Sequence, residues 1–227
     1  MSTIELVDPE LRAALAEPLP PLTAETLRQR RAKALELAAA VPKPHLPDIA
    51  TDEIQVESAF GAKPIRVLTY RPVTSDAPLP AIVHIHGGGF VMGAPEMKDV
   101  ENRLFASELR CAIYSVDHRL APESPHPAPV EDIYSVFVWP HANAGQLGLD
   151  PARIGIKGES GGGCRTVRAR PAGTSLHQIF GSPDDMKFQS SMTLFASAVG
   201  DPASAYYKAL DKWCNGTLDP RTLKLLE

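Results

Sequence analysis

The spacing of apolar positions changes several times along this chain, and each change predicts an element. In 24–40, AETLRQRRAKALELAAA, residues Leu27, Leu35 and Ala39 recur at helical spacing and give a modest apolar face. Thr23 is placed to cap that helix, with Glu25 in its first turn. A proline-rich stretch, 41–48, separates it from two strand patterns, 53–58 and 65–71, which are divided by the turn-like Gly61-Ala62-Lys63-Pro64. Ala81-Ile82-Val83-His84-Ile85 and Cys111-Ala112-Ile113-Tyr114-Ser115-Val116 read as buried strands. Between them, 95–110 reads as a helix with Val100, Leu104, Phe105 and Leu109 on one side. A further helix pattern, 129–146, contains Pro140, which should kink or shorten it. Arg153-Ile154-Gly155-Ile156-Lys157 is one more strand pattern. The alternation of strands and helices over 81–160 implies parallel β-α-β units, whose ligands bind beyond the carboxyl ends of the strands.

After Ser160 the pattern changes. Three glycines, Gly161, Gly162 and Gly163, open what should be the next helix. Arg165, Arg168 and Arg170 put charge where a core face is expected, and Pro171 stops the helix early. Glycine costs a helix about 1 kcal/mol per position, and an unpaired buried arginine several. Two short helix patterns follow, 189–198 and 203–214, around Gly200-Asp201-Pro202, with no further buried-strand pattern.

Composition narrows the class. With 227 residues, 44% apolar and 22% charged, the chain reads as an ordinary globular protein of one domain with a small appendage. Its 22 prolines predict many loops and broken helices. A net charge of −4 gives no electrostatic case for nucleic acid or an anionic membrane, and no apolar run reaches membrane-spanning length. The start, Met1-Ser2-Thr3-Ile4-Glu5, lacks the regions of a signal peptide. Cys111, Cys164 and Cys214 lack metal-ligand spacing and read as reduced thiols, so the expectation is a cytoplasmic protein with no metal and no cofactor.

Two glycine clusters carry the chemistry. Gly158-Glu159-Ser160-Gly161-Gly162 follows a strand pattern and reads as a serine raised on a sharp strand-to-helix turn. His86-Gly87-Gly88-Gly89-Phe90 closes another strand pattern and offers free backbone N–H groups. A lone G-x-S-x-G is as often an ordinary turn, but paired with an upstream HGGG it predicts a nucleophile elbow and an oxyanion loop. Ser160 is the expected nucleophile, and Gly88, Gly89 and Gly161 the expected oxyanion donors. A serine also needs a base within about 3 Å. His84 reads as a satisfied core or loop histidine, His118 and His126 as structural or solvated, and His45 and His141 as surface residues. Trp139 and Trp213 read as packing residues.

Residues 1–163 resemble the front half of the hormone-sensitive-lipase family of α/β-hydrolases, in its bacterial carboxylesterase branch. The resemblance rests on Ala81 to Phe90, on Asp117-His118-Arg119-Leu120-Ala121-Pro122-Glu123 with Pro125, Pro127-Ala128 and Asp132, and on Leu149-Asp150-Pro151-Ala152-Arg153-Ile154 before the elbow. His118 stands where that family usually has tyrosine. The resemblance implies a small-molecule ester as substrate, a loop shaped by His86 and Gly87, Glu159 as a local hydrogen-bond partner, Asp117, Glu123 and Asp132 as loop stabilisers, and cap helices from residues 1–45. The family's acid and base follow its serine. Here His177 is the only downstream histidine and Asp201-Pro202 has the right dipeptide in the wrong surroundings, so neither role is assigned.

Gln178-Ile179-Phe180-Gly181-Ser182-Pro183-Asp184-Asp185-Met186-Lys187-Phe188, continuing to Phe195, and then Ala209-Leu210-Asp211-Lys212-Trp213 are similar to the end of a small bacterial helical family of unknown function. The expected fold is therefore α/β: a truncated α/β-hydrolase with a mostly parallel sheet, N-terminal cap helices and a helical C-terminal tail foreign to the family. Its divisions are 1–45, 46–163, a junction at 164–176, and 177–227. Three outcomes stay open: an active serine esterase, a crippled chimeric fragment, and a homo-oligomer that covers the last strand's open edge and completes the site.

Overall fold

The computed structural model describes residues 8–12 and 21–163. The junction and the helical tail expected at 164–227, with His177, Trp213 and Asp201, lie outside the described residues, as does most of the cap segment before residue 21.

Helix α1 is a single turn, Pro9–Arg12, and α2 spans Ala24–Ala40. The Thr23 side chain accepts from the Thr26 N–H, and Thr26 Oγ1 accepts in return from the Thr23 N–H, which satisfies two otherwise orphaned donors. The apolar face expected of α2 is only partly used. Leu27 is buried, but Leu35 and Ala39 are exposed, because the helix packs on the turn at Pro95–Lys98 rather than on the sheet.

Strands β1 (Ile49–Val56), β2 (Ile65–Pro72), β3 (Leu79–Ile85), β4 (Ala112–Val116) and β5 (Leu149–Gly158) form one sheet in the order β1-β2-β4-β3-β5. Strand β3 runs parallel to both β4 and β5, as the 81–160 alternation requires, while β2 is antiparallel to β1 and β4. The expected strand 53–58 begins earlier, at Ile49, because its pairing with β2 extends to Ile49 opposite Pro72.

Helix α3 (Asp99–Glu108) follows a 3-10 turn at Pro95–Lys98. Helices α4 (Ala128–Ala142) and α5 (Ala144–Leu147) precede β5. Pro140 lies inside α4, which ends two residues later. The Asn143 N–H and Nδ2 both turn back to the Trp139 carbonyl. Strand alternation sends side chains to two faces. Ala81, Val83, Ile85, Ala112, Tyr114, Val116, Ile154 and Ile156 meet Ile133, Val136 and Phe137 of α4. Ile82 and Ile113 meet Phe105, Ala106 and Leu109 on the α3 side. Leu104, expected on the inner face of α3, is exposed. Phe105 and Leu109 are buried as expected, and Asn102 and Ala106 complete the inward face. Trp139 packs edge-on against Tyr114, a packing role as expected.

Cys111 is buried and in no disulfide, its thiol donating to the Phe105 carbonyl at 3.8 Å. Among the described residues no helix is long and apolar enough to cross a membrane. Because β3, β4 and β5 are parallel, the residues after Ile85, Val116 and Gly158 emerge at one end of the sheet.

Candidate active site

Ser160 follows β5 with φ 50°, in the left-handed region, and it is exposed. A non-glycine residue is held there only when its surroundings impose it. The turn is closed by the Gly162 N–H donating to the Glu159 carbonyl at 2.8 Å and the Gly163 N–H donating to the Ser160 carbonyl at 3.0 Å. Any side chain at Gly162 would run into the Ile85 and His86 carbonyls at the end of β3, so the elbow sits directly against the start of the glycine loop.

The loop meets the elbow from the other side. A Cβ on Gly87 would stand 3.1 Å from the Glu159 carbonyl oxygen and 3.5 Å from the Ser160 Cβ. A Cβ on Gly161 would stand 3.2 Å from the Phe90 nitrogen and 3.4 Å from the Gly89 nitrogen. The backbone amides of Gly89, Phe90 and Gly161 therefore gather beside Ser160. Gly88 has φ 127° and its carbonyl accepts from the Val91 N–H at 3.2 Å and the Met92 N–H at 2.9 Å. A side chain there would collide with the Met92 carbonyl. No backbone carbonyl among the described residues accepts from the N–H of Gly88, Gly89 or Gly161.

His86 is buried. Its Nδ1–H donates to the Gly87 carbonyl at 2.8 Å, and its ring stacks on His118 at 4.2 Å between centroids. Neither ring is presented as a free base. His45, His126 and His141 are exposed. The loop after β4 is anchored by Asp132, which accepts from the Arg119 N–H at 2.9 Å and from its guanidinium at 2.7 Å. Asp117 and Glu123 pair with Arg66 and Arg31 respectively, so they brace the loop through ion pairs.

Beneath the elbow lies a closed ring of charges. Lys157 Nζ is 2.7 Å from Glu159 and 2.5 Å from Glu101. Lys98 Nζ is 2.5 Å from Glu159 and 2.9 Å from Glu101. Glu159, expected to be a local partner of the turn, is buried in this ring and also accepts from His84 Nε2 at 3.3 Å. Burial, reinforced by the Lys157 charge, pushes the His84 imidazole down to about 4, so it is neutral. Burial alone would raise Glu159, but hydrogen bonding from His84 and the Lys157 ammonium outweigh it and hold the carboxylate ionised. His84, Glu101 and Glu159 bring ligand atoms within 4.8 Å of one another. Two ammonium groups already bridge both carboxylates, so the charge that would attract a cation is already neutralised.

Sequence reasoning missed this ring. Its signal was Lys157 and His84, charged and polar positions facing α3 from two otherwise apolar strands and opposite each other in register. A charge in a buried strand has to be paired.

A model described as alpha/beta hydrolase fold matches residues 82–173, and one described as protein of unknown function (DUF1810) matches 162–226, so the two overlap just after the elbow. Carboxylesterase NlhH of Mycobacterium tuberculosis is 35% identical over 158 residues, covering 69% of this chain and 49% of the relative. Hormone-sensitive lipase of Bos taurus is 36% identical over 107 residues, covering 46% and 14%. The solved structure of a bacterial heroin esterase superposes with a TM-score of 0.63 at 34% identity, covering 74% of this chain and 53% of that one. The chain thus spans about half the length of the carboxylesterase relative and a smaller part of the lipase.

Proposed function

The front of this chain belongs to the hormone-sensitive-lipase family of α/β-hydrolases, and on that footing we propose that the protein is a serine carboxylester hydrolase acting on short-chain esters. The single observation that carries the reading is the meeting of the left-handed Ser160 with the Gly89, Phe90 and Gly161 backbone. Ser160 Oγ attacks the ester carbonyl carbon, and the oxygen that gains the charge accepts hydrogen bonds from the N–H groups of Gly88, Gly89 and Gly161. Collapse of that intermediate expels the alcohol and leaves the acyl group on Ser160, to be released by water. His86 holds the loop through Gly87, and Glu159 ties the elbow to the ion ring beneath it.

The proton of Ser160 needs a base. His84 is buried on Glu159, and His86 and His118 are buried and stacked on each other, so none of these three is offered as the base; His177, the downstream candidate, lies outside the described residues. The chain's half-length match and its second family model favour one further reading: a hydrolase front joined to a foreign tail, as a chimera or in an oligomer that completes the site. Without a base such a site retains about 10³–10⁴-fold over water from binding and the oxyanion hole alone. Steady-state hydrolysis of p-nitrophenyl acetate by wild type and Ser160→Ala tests the proposal. Turnover abolished by the substitution supports the esterase. Turnover unchanged by it rejects the role of Ser160.

A further inference from the structure

We propose that Arg31 is a positioning residue that fastens the glycine loop to helix α2, so that docking of the N-terminal helix sets the oxyanion donors. The inference rests on the reading of Ser160 and the glycine loop given above.

Helix α2 has little apolar grip. Among its described side chains Leu27 is buried, while Leu35 and Leu37 are exposed. Its polar hold on the two loops runs through the Arg31 guanidinium. Arg31 Nε–H donates to the Val91 carbonyl at 2.8 Å and Nη2 to the Ala121 carbonyl at 2.7 Å. Nη1 and Nη2 grasp the two oxygens of Glu123 at 2.9 and 3.0 Å. The fork thus joins α2 to the glycine loop and to the loop after β4. These two loops also meet directly, the Ala121 N–H donating to the Phe90 carbonyl at 3.2 Å.

The position of this clamp matters. Phe90, at φ 71°, is a non-glycine residue in the left-handed region and follows Gly89 immediately. Such a conformation persists only when neighbouring bonds over-determine it. The Ala121 bond acts on the Phe90 carbonyl and the Arg31 bond on the next one, Val91. The Met92 N–H of that same peptide closes on the Gly88 carbonyl at 2.9 Å, so the peptide that Arg31 holds belongs to the same turn as the oxyanion glycines. Lysine cannot replace the fork: an ammonium carries the charge but cannot reach two carbonyls and a carboxylate in one plane.

The test uses the full-length chain with Arg31→Lys and Arg31→Ala. Hydrogen–deuterium exchange of the 87–93 peptide, and kcat and KM for p-nitrophenyl acetate, are read side by side. Both variants are expected to exchange about ten-fold faster in that peptide, with β3 and β5 unchanged, and to lose about ten-fold in kcat with little change in KM. Free guanidinium ion should recover part of the kcat of Arg31→Ala. Should both variants lose the folded state, Glu123→Gln, at an exposed carboxylate, takes over, with a smaller acceleration in the same peptide. Loop exchange identical to wild type in the folded variants overturns the proposal. If wild type neither turns over ester nor is labelled at Ser160, the hydrolase reading fails, while loop exchange still decides the clamp.

Discussion

Gly161 approaches Gly89 so closely that a Cβ on Gly161 would lie 3.4 Å from the Gly89 nitrogen. Gly161→Ala keeps its backbone N–H but presses a methyl group on the Gly89 and Phe90 amides, which have to give by a few tenths of an ångström. The expected result is a loss of about ten-fold in kcat, less than the roughly 10²–10³ that a deleted oxyanion donor costs. Thermal melting should change little, since the loop can yield by a few tenths of an ångström. Parallel measurements of kcat and Tm check this.

The left-handed backbone at Ser160 costs an L-residue about 1–2 kcal/mol. Ser160→Gly relieves that strain at some cost in unfolded-state entropy, whereas Ser160→Ala keeps the strain and loses only the hydroxyl. Urea denaturation should find the glycine variant more stable than the alanine variant by about 1 kcal/mol, with both inactive.

Acid should loosen the fold in a defined window. His84 is held neutral down to about 4, against 6.5 for the unfolded chain, so between these values the unfolded chain binds more protons. Stability falls as the pH drops from 6.5 to 4, by about 3 kcal/mol from this residue. Glu159 adds to the same trend: its contribution is present above its ordinary value of 4.5 and is lost as pH falls further, through its depressed folded value. Melting curves across this range should show the slope, and His84→Gln should flatten its upper part.

Removing one cation from the ion ring leaves its carboxylates short of charge. Lys157→Met should destabilise the protein by about 3 kcal/mol, the low end for breaking a buried pair. The double variant Lys157→Met with Glu101→Gln should cost less than the sum of the single changes, because neutrality is restored. A double-mutant cycle by urea denaturation reads the difference.

Much of the fold was legible because local signals agreed with the tertiary ones. Thr23 and the alanine-rich run that follows gave helix α2 its observed ends, and the apolar runs at 81–85 and 111–116 marked the two central strands. Both glycine motifs were placed at one end of the sheet for the same reason, since parallel strands bring their carboxyl ends together. The face of α3 was legible at Phe105 and Leu109 but not at Leu104, which lies one position round the helix from Phe105 and faces solvent. The Arg31 clamp had no local signature at all. Its partners lie 60 and 90 residues away, and an arginine on a charged helix looks like a solvated one. The ion ring lay between these cases: Lys157 announced a buried charge, but not which of several acids would meet it.

The most direct test of the central claim is covalent labelling by a fluorophosphonate, read by peptide mass spectrometry, which needs a serine activated by a base beside an oxyanion site. The account predicts one adduct per chain, on Ser160, lost in Ser160→Ala and slowed in Gly161→Ala. Intact wild-type protein that takes no label at Ser160 would contradict the activated serine and oxyanion site on which the proposed chemistry depends.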